Sequence, residues 1–180
     1  MKADFLIIPE CYIDTLLVET LVPPNNKRGY NHQMGCNKVS SKMQNDLKND
    51  FALGIIDKDK KIVPYLEEFE LLHSLENIFL LKHKQKHHYF IQINPATEVF
   101  LLKMAENAEI DPNEFGIPDS LKELKSITKK RTSKDNPNLK KFITTLKNKN
   151  APQIVTLTNW ISYLKENTYH SIIDEIINIQ

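Results

Sequence analysis

Glycine is scarce in this chain: Gly29, Gly35, Gly54 and Gly116 are the only four in 180 residues. No two have the spacing of a Walker A loop, a GxGxxG turn or a GxSxG elbow, which removes phosphate cradling by a glycine loop and α/β-hydrolase chemistry. Cysteine is scarcer still. Cys11 and Cys36 form neither a CxxC pair nor a thiolate zinc site, and two cysteines without a signal peptide point to reduced thiols in a cytoplasm. The apolar stretch at residues 5–9 falls far short of a signal h-region or a spanning helix, so no membrane association is expected. Charge of one sign is also lacking: Lys+Arg 24 against Asp+Glu 23 leaves +1. What remains, 41% hydrophobic and 26% charged residues, is the make-up of a soluble globular protein. A chain of this length buries roughly 70% of its unfolded surface without staples.

The pattern alternates short apolar runs with helical stripes. Residues 3–9 and 51–56 are continuous apolar runs, each stopping at a carboxylate, Glu10 and Asp57. Between them residues 12–22 carry a helical stripe that ends at Pro23-Pro24, residues 25–35 read as loop, and Asn37 caps a helix through about residue 49. Continuous runs joined by helices are the mark of parallel strands covered on both faces. Pro64 opens a third helix to about residue 74. Residues 77–81 and 89–93 read as two strands joined by a basic turn, and residues 96–107 as a helix. Two prolines and Gly116 place a boundary between residues 111 and 119. The expected architecture is an α/β domain over residues 1–118, with a mainly parallel central sheet, and a basic helical region over 119–180 in segments near 119–132, 136–149, 156–167 and 169–179.

Local charge is uneven where the total hides it. Between residues 121 and 149 ten Lys and Arg face only Glu123 and Asp135, a net +8, and the rest of the chain is correspondingly acidic. Lys129, Lys130 and Arg131 form the densest part and are candidate phosphate contacts. Spacing leaves two readings open, a nucleic-acid surface or a solvated helical face.

Open α/β sheets place their sites at the carboxyl ends of the strands. Both strong strand predictions end there on acids, Glu10 and the pair Asp57-Lys-Asp59. In extended chain Asp57 and Asp59 share a face, and if the strands are neighbours Glu10 joins them. Gathered carboxylates repel and take up protons unless a cation is supplied; oxygen ligands of this kind suit Mg²⁺. By spacing alone, Asp57-Lys-Asp59-Lys also fits a solvated turn.

The order strand-Glu, helix, strand-Asp-x-Asp resembles the TOPRIM domain of topoisomerases, primases and OLD-type nucleases. Glu10 is followed four residues later by Asp14, as in the nuclease branch, and Asn94-Pro95-Ala96-Thr97-Glu98-Val99-Phe100 is similar to the "NPcFElW" segment of RloB-like TOPRIM proteins. The resemblance covers residues 3 to about 105; Cys11 stands where the family has glycine, and Phe100 where tryptophan is commoner. It implies Mg²⁺- or Mn²⁺-dependent cleavage of DNA or RNA in defence against phage or mobile elements. Glu10 would be metal ligand or general acid/base, Asp57 and Asp59 metal ligands, Glu98 a ligand or a support for its helix, and Asp14 a partner behind the ligands. Related systems pair the domain with an ATPase, which here must be a separate chain. The rival is a TOPRIM-derived module that binds nucleic acid or an ATPase without catalysis.

Other constellations point to packing. His83, His87 and His88 lie on a strand and turn, where i and i+4 do not converge on a zinc ion. A nucleophile made of Cys11 or Cys36 with His32 lacks any sign of a depressed thiol pKa. Trp160 and Tyr163, three apart on a helix, suit a core better than base stacking.

Overall fold

The structure, a computed structural model, describes residues 3–58 and 63–178. Five strands form one open mixed sheet in the order β1-β2-β5-β4-β3. They are β1 (Ile7–Pro9), β2 (Ala52–Asp57), β3 (Phe69–Leu75), β4 (Ile78–His83) and β5 (His88–Ile93). β1 pairs parallel with β2, Ile7 beside Leu53, and β2 parallel with β5, Ala52 beside His88. β4 runs against both β5 and β3, so four of the five strands share one direction. The two acid-terminated runs are therefore neighbours, as the position of the site at a strand end requires.

Seven α-helices lie among the described residues: α1 (Tyr12–Leu21), α2 (Cys36–Ser41), α3 (Thr97–Asn107), α4 (Leu121–Thr128), α5 (Pro137–Asn148), α6 (Pro152–Asn167) and α7 (Ile173–Asn178). None is long and apolar enough to cross a membrane. α1 packs against α3, α5 and α6, whereas α2 packs on β2. One hydrophobic cluster runs from Ile7 and Ile55 in the sheet through Leu17 on α1 to Phe142 on α5 and Trp160 on α6. Residues on both sides of position 118 thus share a core. Trp160 is fully buried, edge-on to His73 of β3.

Four local expectations change. Residues 3–6 form a 3-10 turn and only residues 7–9 are strand. The cause is Asp4, fully buried, which accepts from the Asn25 N–H and the Asn26 amide and pairs with the Lys165 ammonium at 3.0 Å. The helix expected from Pro64 stops after a 3-10 turn, Pro64–Glu68, and residues 69–75 become β3. Phe69 packs edge-on to Tyr65 and to His83, and Tyr65 is tilted against His83, an aromatic cluster that holds the chain in register beside β4. The helix expected over 37–49 begins at Cys36, with Gly35 as its N-cap at φ 94°, and after Ser41 continues as a π-helical turn, Lys42–Asp46. Finally, the helix expected over 119–132 ends at Thr128, and Arg131–Asp135 is a separate 3-10 turn.

Gly54 explains one close approach. A Cβ there would lie 2.4 Å from Phe90 Cε1 and 3.0 Å from Met43 Sδ of the π-helical turn. Asp57, an odd number of positions further along β2, turns to the opposite face, the side of α1 and α3.

Candidate functional site

The site is built at the carboxyl ends of β1 and β2. The Glu10 N–H donates to Ile55 C=O at 3.0 Å, extending the ladder one residue past β1. Its carboxylate continues the same edge, with Oε2 accepting the Asp57 N–H at 3.1 Å. Cys11 then turns the chain into α1. Its φ of −138° and ψ of 178° are ordinary extended backbone, so the missing glycine leaves no strain at this turn. Three residues into α1, Asp14 reaches back to the Cys11 N–H through Oδ2 at 3.1 Å, half of a capping box.

Thr97, the first residue of α3, joins the two strands' acids. Its hydroxyl lies 2.6 Å from Asp14 Oδ1 and 3.3 Å from Asp57 Oδ1, and its N–H donates to Asp57 Oδ1 at 2.9 Å. Glu98 follows, with Oε1 accepting the Thr128 hydroxyl at 2.5 Å. Asp14 and Thr97 are fully buried and Glu98 is 7% exposed. Sequence reasoning missed Thr97; its signal was its place beside Glu98 at the start of a helix following Asn94-Pro95, where a hydroxyl and an orphan N–H are offered together.

Charge in this cluster is costly. Burial pushes the Asp57 carboxyl up to about 8, with the charges of Asp14, Glu10 and Glu98 adding and the Thr97 N–H opposing. Burial likewise pushes Asp14 up to about 7, against the Thr97 and Cys11 hydrogen bonds and with help from Glu10 and Glu98. Each acid therefore lies within electrostatic reach of others contributed by different elements. The Cys11 thiol is held far above its ordinary range by burial and by Asp14, which makes a thiolate nucleophile unavailable.

An all-oxygen, crowded donor set fits a hard divalent cation in kind, since a cation offsets both the burial and the smaller mutual repulsion that raise these carboxyl pKa values. Among the described residues no group of three or more His, Cys, Asp or Glu side chains is gathered tightly enough to hold a metal ion. Asp59, with Lys60 and Lys61, lies outside the described residues. Glu10, Asp14, Asp57 and Glu98 are brought together; in this arrangement hydrogen-bond donors of the protein contact all four.

The basic segment lies beside the acids. Thr128, at the end of α4, holds Glu98, and Lys129, Lys130, Arg131 and Lys134 follow, all exposed. Ser133 Oγ donates back to Thr128 C=O at 2.8 Å. The 3-10 turn over 131–135 packs on α1, and Lys134 helps burial to lower the pKa of His32. His32 stacks on Tyr12 at 4.7 Å and sits 2.8 Å from Thr15 Oγ1, one turn from Cys11.

His83 and His88 are structural. His88 Nε2–H donates to Leu47 C=O at 3.0 Å while Nδ1 accepts the Tyr65 hydroxyl at 2.6 Å. His83 bridges Glu68 and the N–H groups of Gln85 and Lys86. No family model, no curated protein and no solved structure matches this chain.

Proposed function

We propose that the chain is a diverged TOPRIM-like nuclease domain that cleaves phosphodiester bonds in DNA or RNA with Mg²⁺ or Mn²⁺, in cytoplasmic defence against phage or mobile elements. The observation that carries this reading is the gathering of Glu10, Asp14, Asp57 and Glu98 from four elements, next to the exposed cations of 129–134. Glu10, Asp57 and Glu98 would hold the cation, with Asp59 added on the strength of the sequence. A bound Mg²⁺ supplies neutralisation of the phosphate charge and an acidified water. Glu10, whose Oε2 accepts the Asp57 N–H, would serve as the general base. Asp14 and Thr97 fix the rotamer of Asp57 from behind. Lys129, Lys130 and Arg131 would hold the polymer backbone, and an ATPase is a candidate partner.

The test is cleavage of single- and double-stranded DNA and RNA with and without Mg²⁺ or Mn²⁺, comparing wild type with Asp57→Ala. Loss of activity with the fold retained is expected. Undiminished cleavage by that variant, in preparations free of contaminating nuclease, removes Asp57 from the site. One observation favours a second reading, a binding module without catalysis: no three acids among the described residues are placed for a metal. Binding of nucleic acid without cleavage, with metal and a partner ATPase present, would select it.

A further inference from the structure

We infer that α6 and β3 form a small-molecule site at the other end of α3 from the acids, and that it takes a zwitterion with an apolar arm. Gln153, Thr156 and Trp160 are 3%, 6% and 0% exposed, yet their side chains make no hydrogen bond among the described residues. Spacings of three and four place them on one face of α6. His73 of β3 stands opposite, its ring 5.6 Å from that of Trp160, and its Nδ1 is likewise buried without a partner. Buried polar groups are nearly always hydrogen-bonded. Four exceptions on two facing elements point to a ligand that supplies the partners.

These groups border two adjoining clefts. Gln153 lines one of about 470 Å³ with Glu76, Glu109 and Lys149. Thr156 and His73 line a second of about 440 Å³, walled by Leu75, Val155 and Ile177. Asn150 and Pro152 border both, so one ligand can occupy the two, and each has the size of a small-molecule site. Asn107, at the end of α3, lines the first cleft, whereas Thr97 at the start of that helix bonds Asp57. The length of α3 therefore sets the site about 15 Å from the carboxylate cluster.

The first cleft has two electrical poles. Glu76 and Glu109 project from left-handed turns at φ 49° and 54°, and α3 brings the negative end of its dipole to the same place; together they suit an ammonium. Lys149 and the first turn of α6, which lacks a side-chain cap, present a cation and orphan N–H groups that suit a carboxylate. Among the described residues the side chains of Glu76, Glu109 and Lys149 make no ion pair. The Gln153 amide donates and accepts, and so serves either pole. The apolar wall of the second cleft receives the arm, while the Thr156 hydroxyl and His73 can bond a polar group along it. Free apolar amino acids and apolar dipeptides share this chemistry.

Isothermal titration of L-phenylalanine and of L-leucyl-L-phenylalanine into the full chain, at millimolar ligand, tests the site. Saturable binding of at least one is expected, and the tighter of the two identifies the source. The N-acetylated and C-amidated forms of that ligand, each lacking one charge, should bind about ten-fold more weakly, the scale of one hydrogen bond to a charged group. Gln153→Leu, once melting confirms that it is folded, and the exposed Lys149→Met should each weaken binding by a similar factor. If Gln153→Leu does not fold, Lys149→Met and the two blocked ligands carry the test. No saturable binding of either ligand overturns the proposal. Equal affinity for a singly charged form also overturns it, by marking a site for one charge only. Affinity unchanged in either folded variant overturns it by placing the binding elsewhere.

Discussion

Asp57→Asn removes one charge from a crowded cluster while keeping the oxygen that accepts the Thr97 N–H, so the variant should be more stable than wild type at alkaline pH. Raising the Asp57 carboxyl from 3.8 to about 8, at about 1.4 kcal/mol per pKa unit, makes the full cost of its ionised form on the order of 5 kcal/mol. Neighbouring acids share protons with it and relax when it is neutralised. A gain on the order of 3 kcal/mol is therefore expected at about pH 9, which in a chain of this size moves the midpoint by about 8 °C. The sign follows from proton counting. Between the unfolded and folded pKa values the folded state holds a proton that the unfolded state has lost, so stability falls as pH rises through that window. His32, His83 and His88 have the opposite effect: burial lowers their pKa values, and the unfolded chain gains protons below 6.5 that the folded chain refuses. Urea denaturation between 6.5 and about pH 9 lies above the histidine range, and the Cys11 thiol, which burial keeps protonated in the fold, adds a slope of the same sign only at its top. Wild type should lose about 2 kcal/mol across it, and Asp57→Asn less than half of that. A variant less stable than wild type at pH 9, or one with an unchanged slope, would refute the account of a carboxylate made costly by burial and by neighbouring charges.

Gly54→Ala should cost about 1–3 kcal/mol by overpacking, measured by urea denaturation, because its Cβ meets the Phe90 ring at 2.4 Å. Tyr65→Phe leaves the fully buried His88 Nδ1 without its 2.6 Å donor and should lower stability by about 1–3 kcal/mol; a neutral result would show that the bond is dispensable. Lys165→Met strands the fully buried Asp4 charge and should cost about 3–5 kcal/mol, largely recovered when Asp4→Asn is added. Reversing Lys129, Lys130 and Arg131 to Glu should weaken nucleic-acid binding and flatten its salt dependence by a slope of about 0.9 per lost contact on duplex DNA. Because all three are exposed, melting should hardly move, and an unchanged salt slope would mark a merely solvated surface.

The elements most legible in sequence were those whose burial is complete. β2 and β5, buried along nearly their whole length, appear as continuous apolar runs, and α1 shows its stripe. β3 does not: after the buried Phe69 its residues are exposed or half-buried without alternation, with a bulge between Leu71 and His73. Pro64 imitated the start of a helix there, and the aromatic contacts that decide for a strand come from residues of β4 and β5. The acids at the strand ends could be named because each follows its run directly. Two relations were invisible because they span the chain: Thr97 lies 83 positions from Asp14, and Thr128 lies 30 from Glu98. Charge arithmetic separated the basic segment from the acidic part of the chain, yet folding sets Lys134 close enough to act on His32.

The Asp4–Lys165 pair has a consequence in the order of synthesis. A ribosome releases the N-terminus first, and Asp4 then waits for a countercharge 161 positions downstream. Lys165 also bonds Pro23 C=O at 2.8 Å and the Tyr30 hydroxyl at 3.1 Å, and Lys147 caps Leu21 C=O at 2.7 Å. Until α5 and α6 emerge, the start of the chain and the end of α1 carry polar groups that only water can satisfy. The carboxylate cluster, which depends on α1 for Asp14 and on α4 for the Thr128 hydroxyl, can therefore close only after α4 has left the exit tunnel.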